Sequence, residues 1–586
     1  MTRLDRDYSR LLAEATSGRL GRRELLRRGL ALGLSLPAIG ALLAACGSDD
    51  DDTDADVDDA PATGTSAPGG TGGDAATATT GGGGSPTTAT GSGGSTEPIE
   101  GEVVLALGSE PASLDPHMIT GNEEWNALYH IYDPLIGRDP DGALVPGLLE
   151  SYEATDAEQK VWRLILREGV TFHNGEAWTA EVLAYNFERI RDTEEVTIRQ
   201  YTNGIDSWEV VDERTLDITI SVPMTLFENA FFQVGIVPMT YTTEAGSAGL
   251  NEKPVGTGPF TFVEWSRDEH IRIEVNPDYW GEAPAVQQGL IRVIPEPASR
   301  VAALVSGEVH VIRGVSVYDV ERIEETDSTQ VVDRPGPRMW HLKMDTSRET
   351  GSPGISDGPN PFVTLGARQA LYHAIDIEGL IDSALQGYAE PASQGVAPFI
   401  WGHNPEVERL AYDPDLAMQL LAEAGFPDGF TVRFDVNAEQ SIIGEAIAGY
   451  LEDVGITVEL NAIATSVLRD LTQANDSTLN LGSFGSTMVN TFYDANVHTI
   501  DADAGLGRSN VGMYSNPELD DLIDQARQAF ERAEQEQLYK DVALMASEDV
   551  AFVPLYHEGI VVGAAADVTA VPYFNEHVYL TDVRGT

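Results

Sequence analysis

Lys253-Pro-Val-Gly-Thr-Gly-Pro-Phe260, continuing to Asn276-Pro-Asp-Tyr-Trp-Gly281, is the stretch whose reading decides the fold. Two glycines and two prolines in eight residues preset an irregular backbone ahead of a strand. Phe260 and Phe262 then alternate with Thr261 and Val263, and Ile271, Ile273 and Val275 alternate with Arg272 and Glu274. A period of two predicts paired strands, with Ser266-Arg-Asp-Glu269 as the turn between them. Gly256 and Gly258 read as a tight loop into a strand. A phosphate cradle would need a following Lys-Ser/Thr and the start of a helix, and neither is there.

Outward from this hairpin, strand and helix alternate. Leu290 to Ile294 is strand-like, Pro297 suits a helix start, and Val301, Leu304 and Val305 form an apolar stripe that Gly307 ends. Val309 to Ile312 resumes as strand. Residues 431–460 repeat the scheme. Val432, Phe434 and Val436 alternate, Ile443, Ile447, Tyr450, Leu451 and Val454 stripe a helix that Gly455 ends, and Ile456, Val458 and Leu460 alternate again. Short β-α-β units imply parallel pairing through right-handed crossovers. Their wide separation within 586 residues predicts two α/β lobes. Elsewhere, Glu102 to Leu107 is an apolar strand, and Trp162, Leu164 and Leu166 share a strand face. Asn174-Gly175 signals a turn. Thr179, Asp413-Pro414 and Asn516-Pro517 mark helix starts.

Charge bounds the partners. The chain carries a net −58, and residues beyond 100 hold 79 acids against 28 bases. Phosphate backbones would be repelled, so nucleic acid is excluded. The acidity predicts a self-repelling, soluble surface suited to a salty medium, and it is compatible with cationic ligands.

The N-terminus reads as an address. Arg22-Arg23-Glu-Leu-Leu-Arg27-Arg28 precedes an apolar run from Gly29 to Ala45, broken by Pro37. That run is too short to span a membrane and reads as an export signal over 1–46. Gly21-Arg-Arg-Glu-Leu-Leu-Arg27 resembles a twin-arginine signal, with Gly where Ser or Thr is usual and Leu25 where Phe is usual. An Arg-rich general secretory signal is the other reading. Leu43-Ala-Ala-Cys46 resembles a bacterial lipobox, in which Cys46 is lipidated. Cys46 is the only cysteine, which excludes an intrachain disulfide and a cysteine zinc site. Residues 47–100 hold eleven acids, no base, and Gly/Ser/Thr repeats, the composition of a disordered tether.

Several motifs resemble, in order, those of the family 5 solute-binding proteins, the extracytoplasmic receptors of ABC importers. They are Leu114-Asp-Pro-His117, Arg167-Glu-Gly-Val-Thr-Phe-His-Asn-Gly175, the Pro-Val-Gly-Thr-Gly-Pro-Phe260 stretch with Asn276-Pro-Asp-Tyr-Trp-Gly281, and Arg368-Gln-Ala-Leu371. The matches run from about residue 101 to about 560. The resemblance implies an α/β, two-lobe periplasmic-binding-protein-like fold with a hinge. It divides the chain into lobe I over 101–340, with a subdomain over about 143–235, lobe II over 341–548, and a return to lobe I over 549–586. It also implies a peptide or small-molecule ligand, ABC permease subunits as partners, a monomer without cofactor or metal, and membrane attachment through Cys46.

Site residues follow from the same resemblance. The loop after Leu114-Asp-Pro-His117 brings Thr120, Gly121 and Asn122 to the cleft. Trp125, Trp340 and Phe484 would supply apolar walls, with core packing the competing reading for each tryptophan. In peptide-binding relatives a Trp-Gly-x-Asp-Tyr loop neutralises the peptide amino terminus. Here the matching stretch is Leu481-Gly-Ser-Phe-Gly-Ser-Thr-Met-Val-Asn490, with Phe484 for the Trp, Thr487 at the acid's place and Asn490 closing the loop. A buried ammonium without a carboxylate is costly. Asp345 or Asp494 would have to replace the lost acid. The expected ligand is oligopeptide-like or another polar organic solute, less readily an unmodified dipeptide. His173, beside a turn, reads as structural.

No Gly-x-Ser-x-Gly elbow, His-Glu-x-x-His pair or phosphate loop is present in the sequence. A secreted hydrolase acting on peptides or glycans is the alternative, and a purely structural surface protein a third.

Overall fold

The computed structural model describes residues 97–121, 124–356 and 358–586. The export signal, Cys46, the tether up to residue 96 and Asn122 lie outside the described residues.

The architecture is a two-lobe α/β fold built on one long mixed sheet. In chain order its main strands are β1 (Ile99–Leu107), β2 (Phe260–Ser266), β3 (His270–Val275), β4 (Val286–Val293), β5 (Val311–Arg313), β6 (Thr329–Met344), β7 (Phe430–Asn437), β8 (Ile456–Ile463), β9 (Leu479–Gly485) and β10 (Val553–Ala565). Across the sheet they run β8-β7-β9-β6-β10-β5-β1-β4-β3-β2, and Ala389–Pro391 pairs beside β10.

The quoted stretch forms as read. Phe260 faces Val275 and Phe262 faces Ile273 in β2–β3, and Glu269 N donates to Ser266 O at 3.0 Å in the turn. The two glycines are required by close approach. A Cβ on Gly256 would sit 2.0 Å from Ile131 O, and one on Gly258 would sit 2.6 Å from Ile131 C. The rest of the motif converges on one buried acid. Thr257 Oγ1, Tyr279 OH and Trp280 Nε1 donate to Asp133 at 2.9, 3.0 and 2.7 Å. Burial nevertheless pushes the Asp133 carboxyl up to about 6. His173 Nε2 donates to Gly258 O at 3.0 Å, which makes it a brace for the same loop.

The first β-α-β unit holds its parallel sense but not its adjacency. Helix Pro297–Val305 links β4 to β5, yet β1 lies between them, parallel to both, with Leu105 facing Ile291 on one side and Val311 on the other. Val103 to Leu107 are all buried, so this strand needs neighbours on both edges and cover on both faces. In the second unit β7 and β8 are direct parallel neighbours, with Val432 facing Val458, and helix Ser441–Asp453 buries Ile443, Ile447 and Leu451 against them. Helix starts follow their caps. Thr179, Asp413 and Asn516 each accept a backbone N–H of the first turn.

A separate antiparallel sheet of four strands, Leu149–Ala154, Val161–Leu166, Thr215–Ile220 and Ile205–Asp212, is covered by helix Ala180–Asp192. Leu164, Leu166, Leu183, Phe187 and Ile190 are fully buried between them.

Only β6 and β10 belong to both halves of the long sheet. They pair antiparallel from Thr329–Ala565 to Leu342–Val553, with a register shift between Pro335 and Met339. The first part of this ribbon adjoins β5, and the second adjoins β9, where Arg338 faces Gly485 and Met344 faces Leu479. Gly336 lies in the irregular stretch, and a Cβ there would be 2.3 Å from Glu558 O.

Candidate functional site

A cavity of about 860 Å³ lies between the halves. Its first wall includes Ile119, Thr120, Gly121, Trp125, Tyr201, Asn229 and Phe232. The second includes Arg338, Ser483, Phe484, Gly485, Thr487, Thr491 and Arg508. Asn575 and Glu576, from the C-terminal segment, complete it. A neighbouring cavity of about 510 Å³ is lined by Arg138, Glu228, Phe399, Trp401, Arg532 and Phe574, and Thr487 borders both.

The first wall is braced from behind. Asp115 and His117 are fully buried and turned away from the cavity, so the Leu114-Asp-Pro-His117 motif itself supplies no wall residue. Arg189 Nη1 donates to Asp115 Oδ1 at 3.1 Å and to His117 Nδ1 at 2.5 Å. His117 Nε2 then donates to Gly235 O at 3.0 Å. That arrangement needs a neutral imidazole. Burial, followed by the Arg189 charge, pushes His117 down to about 3. Burial opposes ionisation of Asp115, but the hydrogen bond to Arg189 overcomes it and holds the carboxyl below its ordinary value. Glu124 accepts from Thr120 N at 2.7 Å, Thr120 Oγ1 at 3.1 Å and Ala112 N at 3.2 Å, and so fixes the exposed end of the loop. Trp125 is 1% exposed and stacks on Tyr129 with centroids 4.6 Å apart, so it serves core and wall together.

The second wall contains Phe484 and Thr487. Thr487 Oγ1 donates across the cleft to Asn229 Oδ1 at 3.3 Å. Other bonds span the cleft beside it. Arg532 pairs with Glu228 at 2.5 Å, Thr225 Oγ1 donates to Gln535 Oε1 at 2.5 Å, and Gln159 bonds Glu531.

Three expected residues are not on the main cavity wall. The Trp340 indole N–H donates to Glu558 Oε2 at 3.0 Å and its ring stacks on Tyr556, which places it in the shared ribbon. Asp345 is consumed by its own turn. It accepts from Ser347 N and Oγ at 3.0 Å, Arg348 Nε at 2.6 Å and Ser352 Oγ at 2.5 Å. Asn490 lies at the start of helix Val489–Asn496 beside Asp494, and Thr491 takes the wall position. Asp494 is no free carboxylate for a ligand either. It is half-buried, pairs with Arg527 at 3.2 Å, and is pushed up to about 7 by desolvation.

Arg338, Arg508, Asn575 and Glu576 escaped the sequence reading. Arg338 Nε and Nη2 donate to Glu576 at 3.1 Å each, a fork-to-carboxylate pair. The left-handed φ of +70° at Glu576 marks a tight turn, but no motif announces it. Among the described residues no group of three or more His, Cys, Asp or Glu side chains could hold a metal, and no helix is long and apolar enough to cross a membrane. The wall is suited to hydrogen bonding and apolar contact.

The pattern of the bacterial extracellular solute-binding proteins, family 5 (middle region), matches residues 143–503. The chain is 25% identical over 487 residues to Heme-binding protein A of Haemophilus influenzae, covering 78% of this chain and 86% of that protein. It is 28% identical over 463 residues to the Glutathione-binding protein GsiB of Pectobacterium atrosepticum, covering 75% and 85%. The ABC transporter substrate-binding protein CtaP of Listeria monocytogenes superimposes with a TM-score of 0.73 at 20% identity, over 83% of this chain and 99% of that one, which shows the shared fold. These relatives are binding proteins and lend no support to the hydrolase reading.

Proposed function

The chain belongs to the bacterial extracellular solute-binding proteins of family 5, and from that premise we propose how it works. It captures a peptide-like or other polar organic solute between its lobes and presents the closed form to the permease of an ABC importer. Residues 101–340, with the subdomain over about 143–235 and the return segment 549–586, move as one lobe, and 341–548 as the other. The observation that carries this reading is the cavity walled from both halves while only β6 and β10 run through both. A two-strand ribbon interrupted at Pro335–Met339 suits a hinge, and the bonds from Thr487, Arg532 and Gln535 suit a latch. Thr120, Gly121, Trp125, Phe484 and Thr487 would then touch the solute. A closed form distinct from the open one is what a permease can select.

Scattering with and without a stabilising solute tests this. Compaction of the particle is expected on binding, and an unchanged profile at saturation would contradict closure. We place the protein outside the cell membrane as a monomer, tethered through lipidated Cys46 after export by the twin-arginine route. Cys46→Ala is expected to release it to the soluble fraction. Arg22→Lys with Arg23→Lys is expected to block export, and normal export would point to the general secretory route.

A further inference from the structure

The charge of the cavity wall runs against that of the chain. Acids outnumber bases 79 to 28 beyond residue 100, yet among the described residues the charged groups of the wall are Arg338, Arg508 and Glu576. Glu576 is already engaged. It accepts both donors of Arg338 at 3.1 Å and a third from Arg313 at 3.5 Å. Arg508 is exposed in the wall, and among the described residues no carboxylate lies within ion-pair distance of it. We propose that the cavity recognises an organic anion, and that Arg508 holds its oxyanion group. This rests on the reading of the cavity as the receptor's ligand site and narrows the class of solute.

The backbone under Arg508 is fixed on both sides. Gly507 adopts φ +66°, its N–H donates to Asp494 O at 2.7 Å, and a Cβ there would meet His498 O at 2.7 Å. Ser509 N donates to Ala495 O at 2.8 Å, and Ser509 O accepts from the buried Lys343 Nζ at 2.9 Å. Asn510 is 3% exposed and donates to His498 O at 3.0 Å and Tyr514 O at 2.7 Å. The fixed backbone sets where the side chain starts, and the planar fork of the guanidinium matches carboxylate or phosphate oxygens.

The same wall disfavours a cationic solute. Among the described residues its one carboxylate, Glu576, is shared by two arginines and offers an ammonium no free counter-charge. The class that fits is an acid with an apolar part against Trp125 and Phe484, such as an amine-blocked peptide or a hydroxy acid.

Thermal stabilisation of the full chain by a mixed library tests the assignment. The probes are N-acetyl-tetraalanine, its amide, tetraalanine amide, simple hydroxy acids and phosphate monoesters. Stabilisation is expected from the acids or phosphate esters, and the amides are expected to be silent. For the best acid, Arg508→Gln should weaken binding about 10- to 100-fold by calorimetry, with Arg508→Lys recovering part of it. The ligand-free melting point of Arg508→Gln should match wild type, because the side chain is exposed. A carboxylate-only or phosphate-only response names the oxyanion. Stabilisation by amines or neutral amides alone, or an acid that binds Arg508→Gln as tightly as wild type, would overturn the inference while leaving the receptor reading intact. Silence from every probe would count against both.

Discussion

The loops Leu114–Gly121 and Leu481–Thr487 approach one cavity from opposite lobes, and the charged groups behind them are satisfied differently. Behind the first, Asp115, His117 and Arg189 are buried together with each charge matched and the imidazole neutral. Behind the second, Asp494 Oδ1 and His498 Nε2 lack a hydrogen-bond partner, with Asp524 Oδ1 3.8 Å from the His498 nitrogen. The Asp494 carboxyl is held near its proton by burial. A complete buried network makes a rigid jaw, whereas an incomplete one tolerates change. The conserved geometry of the cleft is thus expected in the first lobe, and the ligand-dependent adjustment in the second.

Breaking the first network should have the largest effect. Arg189→Met leaves the Asp115 charge buried and unpaired, and should cost about 3–5 kcal/mol in urea unfolding. Asp494→Asn should instead stabilise the protein near pH 7, because it removes a carboxyl whose ionisation burial opposes. Equal losses in the two variants would erase the contrast.

Acid should separate the two networks next. His117 and His130, in the first lobe, have native values near 3 and 4 against an unfolded value of 6.5. The native state therefore takes up a proton less readily than the unfolded one. Their contribution is complete above pH 6.5 and is lost as pH falls toward 4 and then 3. Asp494 behaves in the opposite sense. Its native value near 7 exceeds the unfolded 3.8, so its penalty is absent below 3.8 and grows as pH rises to 7. Amide exchange, corrected for its intrinsic pH dependence, should show protection around His117 and His130 falling, and around Asp494 holding or rising, as pH drops from 6.5 toward 4. Parallel slopes would contradict the assignment.

Two smaller changes sharpen the picture at the wall. Thr487→Asp should give the second loop a carboxylate and admit free-amine tetraalanine amide, read by calorimetry, with little change in melting point. Tight binding of that probe by wild type, unaffected by the substitution, would show that the loop was aligned wrongly. Asn229→Ala removes the bond from Thr487 and should shift closure by about 0.5–1.5 kcal/mol toward the open form. The measure is the ligand-free radius of gyration.

Much of this molecule could be read locally. The β2–β3 hairpin follows from alternation, and the starts at Thr179, Asp413 and Asn516 from side chains that accept first-turn N–H groups. The loop pattern pointed to Phe484 and Thr487, which both line the cavity. The insertion of β1 between β4 and β5 was not, because parallel neighbours are chosen by mutual burial and no turn fixes them. Asp345 misled for a related reason. Its four nearby donors become visible only when the turn is folded. Arg338 meets Glu576 across 238 residues, and Arg508 reaches the cavity from a segment with no periodic signal. Contacts of that separation leave no trace in spacing.

The position of β10 has a consequence for the order in which the chain can fold. It fills the place between β5 and β6, and the residues after it reach back to the beginning. Leu580 N donates to His130 Nε2 at 2.9 Å, Val578 N to Asn126 Oδ1 at 3.3 Å, and Val578, Leu580 and Val583 are buried in the first-lobe core. A growing chain therefore emits nearly all of the first lobe long before it makes the strand that completes it. Neither lobe is complete until β10 is made: its first part closes the second-lobe core through Val553, Leu555 and Tyr556, and its later part then fills the place between β5 and β6.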